Sequence, residues 1–349
     1  MRDSRPGPHR LTLVLTLGAL GLAACGEDTP TQPDMPADPS EAVAAATANS
    51  WSARTPPPFP EEFGGFALGM APNAAGQSIV YAFGGTDGEG GTGFPVLAYN
   101  VATDTWSNPS GDARVGVFDV NGVGKLGSRL YYSGGSNQAG NLPNYVNQLW
   151  AYDYGHDRLI RKADMPIVSG QGLTGVISGT LYVLPGVCSA DLYPQSGYCA
   201  SEQTRRFYRY DPSTNTWASR RQAPHYHWGG VAGVIGGKFY VAGGKTSEFG
   251  ADVTALDVYD PGTNTWTTRA PIPSGGMASG AVLGGQLFAI VVHFSGTTPD
   301  IRAWSYNPNT NNWRTRAAPD FVGPVTKVLL NGGGRLLMVS GTRTALYTP

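Results

Sequence analysis

The sequence is poor in charge, and it lacks an apolar run long enough to cross a membrane as a helix. Charged residues make up 14% of the 349 residues, and the formal net charge is -1. With no excess of positive charge to neutralise a phosphate backbone, nucleic acid is not an expected partner. The apolar run from Leu11 to Leu22 is shorter than the roughly 20 residues that a membrane-spanning helix needs.

Glycine and proline are abundant instead. The chain has 49 glycines and 27 prolines. This balance is typical of short twisted strands joined by many turns, and amphipathic helices are not expected. We therefore expect an all-β protein.

The first 24 residues have the order of a secretory signal peptide. Arg2, Arg5 and Arg10 precede the apolar run. The sequence 22–25, Leu-Ala-Ala-Cys, then resembles the lipobox of bacterial lipoproteins, which implies cleavage before Cys25 and a lipid on that residue. The alternative is an ordinary signal peptide in which Cys25 is incidental.

Residues 25–47 are predicted to be the lipidated N-terminus and a flexible tether. They are rich in Pro, Thr, Asp and Ala and lack aromatic residues, so they cannot bury enough apolar surface to offset ordering. The expected partner of the tether is the membrane, through the lipid on Cys25. Gly26 stands where lipoproteins retained at the inner membrane often carry Asp, so the resemblance implies the outer membrane, with the protein facing the periplasm or the cell surface.

A motif returns about every 50 residues in the remaining segment, 48–349. Each copy has an apolar strand that ends in small residues, a loop, a Tyr-containing strand, a turn and usually Trp. The clearest copies are 239–244 with 258–266, 208–217, 81–85 with Tyr99 and Trp106, and 131–135 with Tyr152. These double glycines and the Tyr-to-Trp spacing resemble the Kelch repeat, whose fold is a β-propeller.

The repeat count predicts a six-bladed β-propeller of four-stranded antiparallel blades. Five copies are complete, with third strands near Tyr99, Tyr152, Tyr210, Tyr259 and Tyr306. A sixth copy, after residue 324, lacks its outer strand, and Asn49-Ser50-Trp51-Ser52 resembles that strand. We expect the N-terminal strand to complete the last blade, which removes exposed sheet edges from a monomeric ring.

Two copies depart from the pattern. Asp157-Arg158-Leu159 stands where the second blade should have its Trp turn, and Val291-Val292 replaces the glycine pair of the fifth. We expect both blades to be locally less regular, without breaking the ring.

Cys188 and Cys199 remain as an even pair once Cys25 is lipidated. In an exported domain this predicts a disulfide that closes an insertion in the third blade. The alternative, a reactive or metal-binding thiol pair, would need basic or His-rich neighbours that the local sequence lacks.

Candidate binding residues lie where propellers usually hold ligands, in the loops around one mouth of the central channel. The densest chemistry there is His225-Tyr226-His227-Trp228, with Lys245 and His293 expected nearby. The two His alternate along an extended segment and would point the same way, as metal ligands can. No third ligand is evident, so we predict no metal and no cofactor. Tyr226 and Trp228 either stack on a sugar ring or cover the blade junction.

The sequence favours a non-catalytic binding module for a carbohydrate or a protein partner. The Kelch resemblance also admits a sugar-acid epimerase, which would need acid/base residues in the channel. Its candidates are Glu61, Glu62, Glu89, Glu248, Arg114 and Arg302. A galactose-oxidase-like copper enzyme is disfavoured because it needs a free Cys, and a sialidase because its Asp-box turns are absent. A structural envelope protein is the third possibility.

Overall fold

The chain folds as a six-bladed β-propeller of four-stranded antiparallel blades, as the repeat count predicts. The structure is a computed structural model, and it describes residues 48–59, 64–86, 93–109, 113–139, 142–186, 205–247, 250–295, 298–321, 326–330 and 334–349. Within these ranges there is no α-helix, and hence none that is long and apolar enough to traverse a bilayer. The predicted signal peptide and tether lie outside the described residues.

The strands of the first half of the chain form the N-terminal strand, blades 1 and 2, and two short ribbons. The N-terminal strand is β1 (Ser50–Arg54). Blade 1 and the first ribbon contain β2 (Ala67–Pro72), β3 (Ser78–Phe83), β4 (Phe94–Pro95), β5 (Leu97–Asn100), β6 (Thr105–Ser107) and β7 (Arg114–Val115), where β4 pairs with β7. Blade 2 and the second ribbon contain β8 (Gly124–Leu126), β9 (Arg129–Ser133), β10 (Ser136–Ala139), β11 (Leu142–Tyr145), β12 (Leu149–Asp153) and β13 (Arg158–Lys162), where β10 pairs with β11.

The remaining strands form blades 3 to 6. Blade 3 consists of β14 (Leu173–Ile177), β15 (Thr180–Leu184), β16 (Phe207–Asp211) and β17 (Thr216–Arg220), and blade 4 of β18 (Val231–Ile235), β19 (Lys238–Ala242), β20 (Leu256–Asp260) and β21 (Thr265–Arg269). Blade 5 consists of β22 (Met277–Leu283), β23 (Gln286–Ser295), β24 (Thr298–Asn307) and β25 (Asn312–Arg316). Blade 6 consists of β26 (Thr326–Leu330), β27 (Leu336–Ser340), β28 (Arg343–Thr348) and β1.

One side-chain pair recurs in every blade. A buried Tyr on the third strand donates its hydroxyl hydrogen to an Asn or Asp beside the outer strand, at 2.6 to 2.8 Å. Each acceptor has a left-handed φ of 43° to 55°, which Asn and Asp tolerate better than most residues. The pairs are Tyr99–Asp104, Tyr152–Asp157, Tyr210–Asn215, Tyr259–Asn264, Tyr306–Asn311 and Tyr347–Asn49.

The same turns tie neighbouring blades together. At five junctions the outer-strand Trp donates from Nε1 to the backbone carbonyl of the residue that follows the preceding blade, at 2.7 to 3.0 Å. The backbone N–H of that same residue donates to the Asn or Asp side chain, at 2.9 to 3.0 Å. The Trp–residue pairs are Trp51–Ala317, Trp106–Thr55, Trp217–Ala163, Trp266–Arg221 and Trp313–Ala270. This two-bond clamp explains why Trp and the Asn or Asp recur together.

The N-terminal strand closes the ring, which confirms the prediction. β1 pairs with β28 from Ser50↔Thr348 to Arg54↔Thr344. Asn49 and Trp51 supply the clamp on Ala317 at the junction between blades 5 and 6. The first and last strands of the propeller therefore share one sheet.

The two irregular blades keep four strands each. In blade 2, Leu159 takes the Trp position opposite Tyr152, and a cleft of about 560 Å³ lies beside it. In blade 5, Val291 and Val292 continue β23 where other blades turn at glycine, so β23 and β24 form a hairpin of two ten-residue strands. Both departures change local geometry and leave the ring intact.

Candidate functional site

One face of the ring carries the loops that join the second and third strands of each blade and those that join consecutive blades. We call this the loop face. The central channel, lined by the inner strands, contains a cavity of about 520 Å³. Cavities of roughly 300 to 1,000 Å³ commonly accommodate small ligands.

The channel lining is mostly glycine and aliphatic. Its polar side chains are Asp119, Lys125, Gln171, Thr174, Ser279 and Lys327, and no described arginine lines it. Lys125 donates from Nζ to the Gly127 carbonyl at 2.9 Å, on the hairpin side of the blade. Asp119, Gln171 and Lys327 lie beside or at the start of inner strands, next to the loop face.

Asp119 is held in place by its backbone. Its N–H donates to the Gly65 carbonyl at 2.5 Å, and its own carbonyl accepts from the Gln171 N–H at 2.7 Å. Its φ is 53°, and a Cβ on Gly65 would lie 2.9 Å from the Asp119 Oδ1. The contact with blade 1 therefore needs glycine at position 65, and the carboxylate direction is set before any ligand arrives.

Asp119 and Lys327 interact electrostatically without direct contact. Burial raises the pKa of the Asp119 carboxyl, while the Gln171 side chain, as a hydrogen-bond donor, and the Lys327 charge oppose that rise. Burial lowers the pKa of the Lys327 ammonium, and the Asp119 charge opposes that change. In the described part of the chain no salt bridge of 4.0 Å or less joins them. At the channel mouth, burial therefore disfavours the charged form of both groups, whereas their mutual attraction favours it.

The two predicted histidines meet at one carboxylate. His225 Nδ1 lies 2.9 Å from Oδ2 of Asp257, and His227 Nε2 lies 3.1 Å from the same oxygen. Thr268 also donates to Asp257, at 2.7 Å. Asp257 and the His227 side chain are fully buried, whereas His225 is half-exposed. The described residues contain no cluster of three or more His, Cys, Asp or Glu that would suit a metal.

Both ring nitrogens of His227 have a partner. Its Nδ1 lies 2.9 Å from the Gly243 carbonyl, which only accepts, so Nδ1 donates. Burial of Asp257 opposes ionisation, but the hydrogen bond and charge of His227, with the Thr268 and His225 donors, hold the pKa of Asp257 below its usual value.

Tyr226 and Trp228 face different neighbours. The Arg205 guanidinium lies 5.1 Å from the Tyr226 ring centroid, as a cation–π pair. Trp228 is 8% exposed and packs against Tyr145, Val168 and Met277. Trp228 therefore covers a junction between blades, which is the structural one of its two predicted roles. Its Nε1 is buried and has no partner among the described residues.

Lys245 and His293 come together around a residue that the sequence analysis missed, Asp252. His293 Nδ1 lies 2.9 Å from one carboxylate oxygen of Asp252, and Lys245 Nζ lies 3.8 Å from the other. Lys245 also pairs its backbone with Trp228. The six candidate residues thus form two adjoining clusters at blades 3 to 5, and none of them lines the channel cavity.

One segment of the chain matches a known repeat motif. Residues 229–273 match the Kelch motif. This match begins just before β18 and covers all four strands of blade 4 and the residues that follow it, so the expected Kelch resemblance is confirmed for that segment. No curated protein sequence matches the chain at a significant level.

The solved structure of YjhT shares the fold. It aligns with a TM-score of 0.67 and 16% sequence identity, and the alignment covers 84% of this chain and 95% of that one. At this identity the similarity shows the propeller fold alone.

The Kelch motif also shows how two channel residues could have been found. Just before the inner strand, blades 1, 4 and 5 have a glycine with a left-handed φ. These glycines are Gly65, Gly229 and Gly276. Blades 2 and 3 have Asp119 and Gln171 there, with the same sign of φ. A polar residue at a repeated glycine position is therefore a sequence signal for the site. Lys327 has no such signal, since it stands at the start of an ordinary strand.

The other predicted functional residues lie outside the channel or outside the described residues. Arg114 is exposed and donates to the Gly93 carbonyl at 3.2 Å, and Arg302 is exposed and pairs with Asp300 at 2.8 Å. Neither is placed to serve a reaction in the channel. The remaining candidates lie outside the described residues: Glu61, Glu62, Glu89, Glu248, Cys25, Cys188 and Cys199.

Proposed function

We propose that this protein is an exported, lipid-anchored binding module, and that the channel mouth on its loop face holds a small polar molecule of sugar size. One observation carries the proposal. A cavity of about 520 Å³ opens beside Asp119, Gln171 and Lys327, three polar side chains from three different blades. A largely apolar pocket with a few convergent polar groups is the usual form of a small-molecule site.

Binding fits the arrangement better than catalysis. No described arginine lines the cavity to hold an acidic sugar, and the histidines of the loop face are paired with Asp257 and Asp252. None of these histidines lines the cavity, so none is placed to exchange a proton with a ligand bound there.

The binding proposal is tested on the full-length protein purified in detergent. A thermal-shift screen with neutral, acidic and amino-containing small molecules, together with a glycan array, should give a concentration-dependent rise in melting temperature with one class. No response to any small molecule would contradict the channel as a binding site. Cross-linking in the cell envelope would then test a protein partner on the same face.

The anchor is tested separately. The order of Arg2, Arg5, Arg10, the apolar run and Cys25 supports the proposal of a lipid on Cys25. Cys25→Ser should move the protein from the membrane fraction to the soluble fraction and remove the mass of the acyl chains. If the variant stays with the membrane, the anchor proposal is wrong.

A sugar-acid epimerase or isomerase is the second candidate. It is favoured by Asp119 and Lys327, which line the channel. Burial raises the pKa of Asp119 and lowers the pKa of Lys327, and both shifts make proton exchange near neutral pH easier. Proton NMR of acidic sugars incubated with the protein would detect interconversion of isomers. Turnover that disappears in Asp119→Asn would support this candidate, and binding without turnover would exclude it.

A further inference from the structure

The channel mouth presents one acidic and one basic side chain, which are separated from each other. Asp119 comes from the loop before blade 2 and Lys327 from the inner strand of blade 6, and both line the same cavity. Each keeps part of its surface accessible because it faces the channel. They influence each other electrostatically, yet no ion pair of 4.0 Å or less forms between them in the described structure.

The two side chains are anchored in different blades. The Asp119 backbone is bonded to Gly65 on one side and to Gln171 on the other. Lys327 lies in β26, whose register with β27 pairs it with Val339. Both side chains line the cavity without a direct ion pair between them, so each can contact a ligand.

The charges discriminate between ligand classes. A ligand with only a carboxylate would pair with Lys327 but be repelled by Asp119. A ligand with only an amine would pair with Asp119 but be repelled by Lys327. A neutral sugar would offer hydroxyls to both without neutralising either. A molecule with both charges compensates both partly dehydrated groups at once, and such charge-assisted hydrogen bonds are the strongest available.

We propose that the channel mouth binds a small zwitterion of the amino-acid type, with its ammonium group on Asp119 and its carboxylate on Lys327. This rests on the proposed small-molecule function and specifies its ligand class. Gln171, beside Asp119, supplies a neutral hydrogen-bonding group. Met277 and Val292 line the same cavity, which favours a ligand with a small apolar side chain.

The test is isothermal titration of the full-length protein in detergent with five probes. L-alanine and L-methionine carry both charges, lactate lacks the ammonium group, ethylamine lacks the carboxylate, and glucose is neutral. The amino acids should bind at least about tenfold more tightly than any single-charge or neutral probe, because each lost charge removes one charge-assisted bond.

Charge variants locate the site. Asp119→Asn keeps the side-chain shape and tolerates the left-handed φ, so it removes the charge without straining the loop. It and Lys327→Met should each weaken amino-acid binding at least about tenfold. Lys238→Met is the matched control, since Lys238 lies outside the cavity and donates to Asp260 at 2.7 Å, and the affinity of this variant should stay within twofold of the parent protein. Melting curves of all three confirm that they fold.

The outcomes separate the two proposals. Tight glucose binding that is unchanged in Asp119→Asn and Lys327→Met would overturn the zwitterion and leave the small-molecule function standing. Lactate has no ammonium group. Lactate binding as tight as L-alanine binding would therefore also overturn the zwitterion proposal, because the ammonium group would contribute nothing to affinity. If none of the probes binds and the thermal-shift and glycan-array screen also gives no response, both proposals are wrong.

Discussion

At the scale of single residues, buried polar groups are paired with partners that the sequence does not place beside them. Asp257 has zero exposure and receives bonds from His225, His227 and Thr268. Replacing one member of a buried charge pair leaves the other charge uncompensated, which costs about 3 to 5 kcal/mol. The cluster is therefore better explained as a junction between the blade 3–4 loop and blade 4 than as an open binding site.

Asp257→Asn should lower stability at neutral pH by about 3 kcal/mol and flatten the acid limb of the pH–stability curve. Because the folded pKa lies below the usual value of 3.8, ionised Asp257 stabilises the fold above that pH, and this contribution is lost as the pH falls through the lower folded pKa. Urea unfolding from pH 7 to pH 3 measures both effects. Asp320→Asn, at an exposed position, is the control for the loss of one charge. An acid limb as steep in Asp257→Asn as in the parent protein would contradict a lowered pKa of Asp257 in the folded state.

At the scale of elements, the outer strand of each blade also anchors the blade before it. Trp266 and Asn264 hold Arg221, and the same pair of bonds recurs at four more junctions. β1 is the special case, because its clamp joins residues 49 and 51 to residue 317. This strand therefore closes both a sheet and the ring.

Deleting residues 48–52 should destabilise the propeller strongly. The deletion exposes the edge of β28 and removes Trp51, whose side chain alone is expected to contribute about 3 to 5 kcal/mol. Deleting 26–47 instead keeps β1 and is the matched control. Thermal unfolding and light scattering follow the loss of stability and edge-to-edge aggregation. Equal melting temperatures for the two deletions would show that β1 does not close the ring.

The blade 1–2 junction should accept the Trp that the other five junctions have. Leu159→Trp places the ring beside the 560 Å³ cleft and opposite Tyr152. We expect a gain of about 1 kcal/mol in the free energy of unfolding, as for other cavity-filling changes. Leu159→Ala is the opposite control and should lose stability. A less stable Trp variant would mean that the cleft is closed to a ring of that size.

At the scale of the whole molecule, the inner strands set how closely the blades approach. Gly175 and Gly233 lie in the middle of their inner strands, against Phe239 of blade 4 and Val282 of blade 5 respectively. A Cβ at either position would overlap the neighbouring blade. The narrow glycine-lined channel therefore depends on residues that carry no side chain.

Gly233→Val should destabilise the ring by about 1 to 3 kcal/mol, because the added atoms overlap Val282 and force blades 4 and 5 apart. Chemical denaturation gives the change in the free energy of unfolding. The control is Gly116→Ala, since a Cβ on Gly116 meets nothing within 4 Å. Equal stability of the two variants would show that the inner strands are not close-packed.

Much of the fold was predictable because the repeat chemistry is local. A Tyr, a left-handed Asn or Asp and a Trp lie within a few residues of one another, so each copy specifies its own turn and outer strand. The count of these copies predicted six blades, and Asn49 with Trp51 predicted the closing strand. The missing glycine pair of blade 5 marked an irregular site, but its ten-residue hairpin is seen only in the structure.

By itself the sequence determined the number of blades, their strand order and the closure of the ring, because those depend on short-range patterns repeated along the chain. Only the tertiary structure decided the candidate site. Asp119 precedes blade 2 and Lys327 lies in blade 6, and they face one cavity because the closed ring arranges the inner strands of distant blades around one channel. Asp257 joins the two histidines for the same kind of reason, since its strand and their loop meet only when the blade folds.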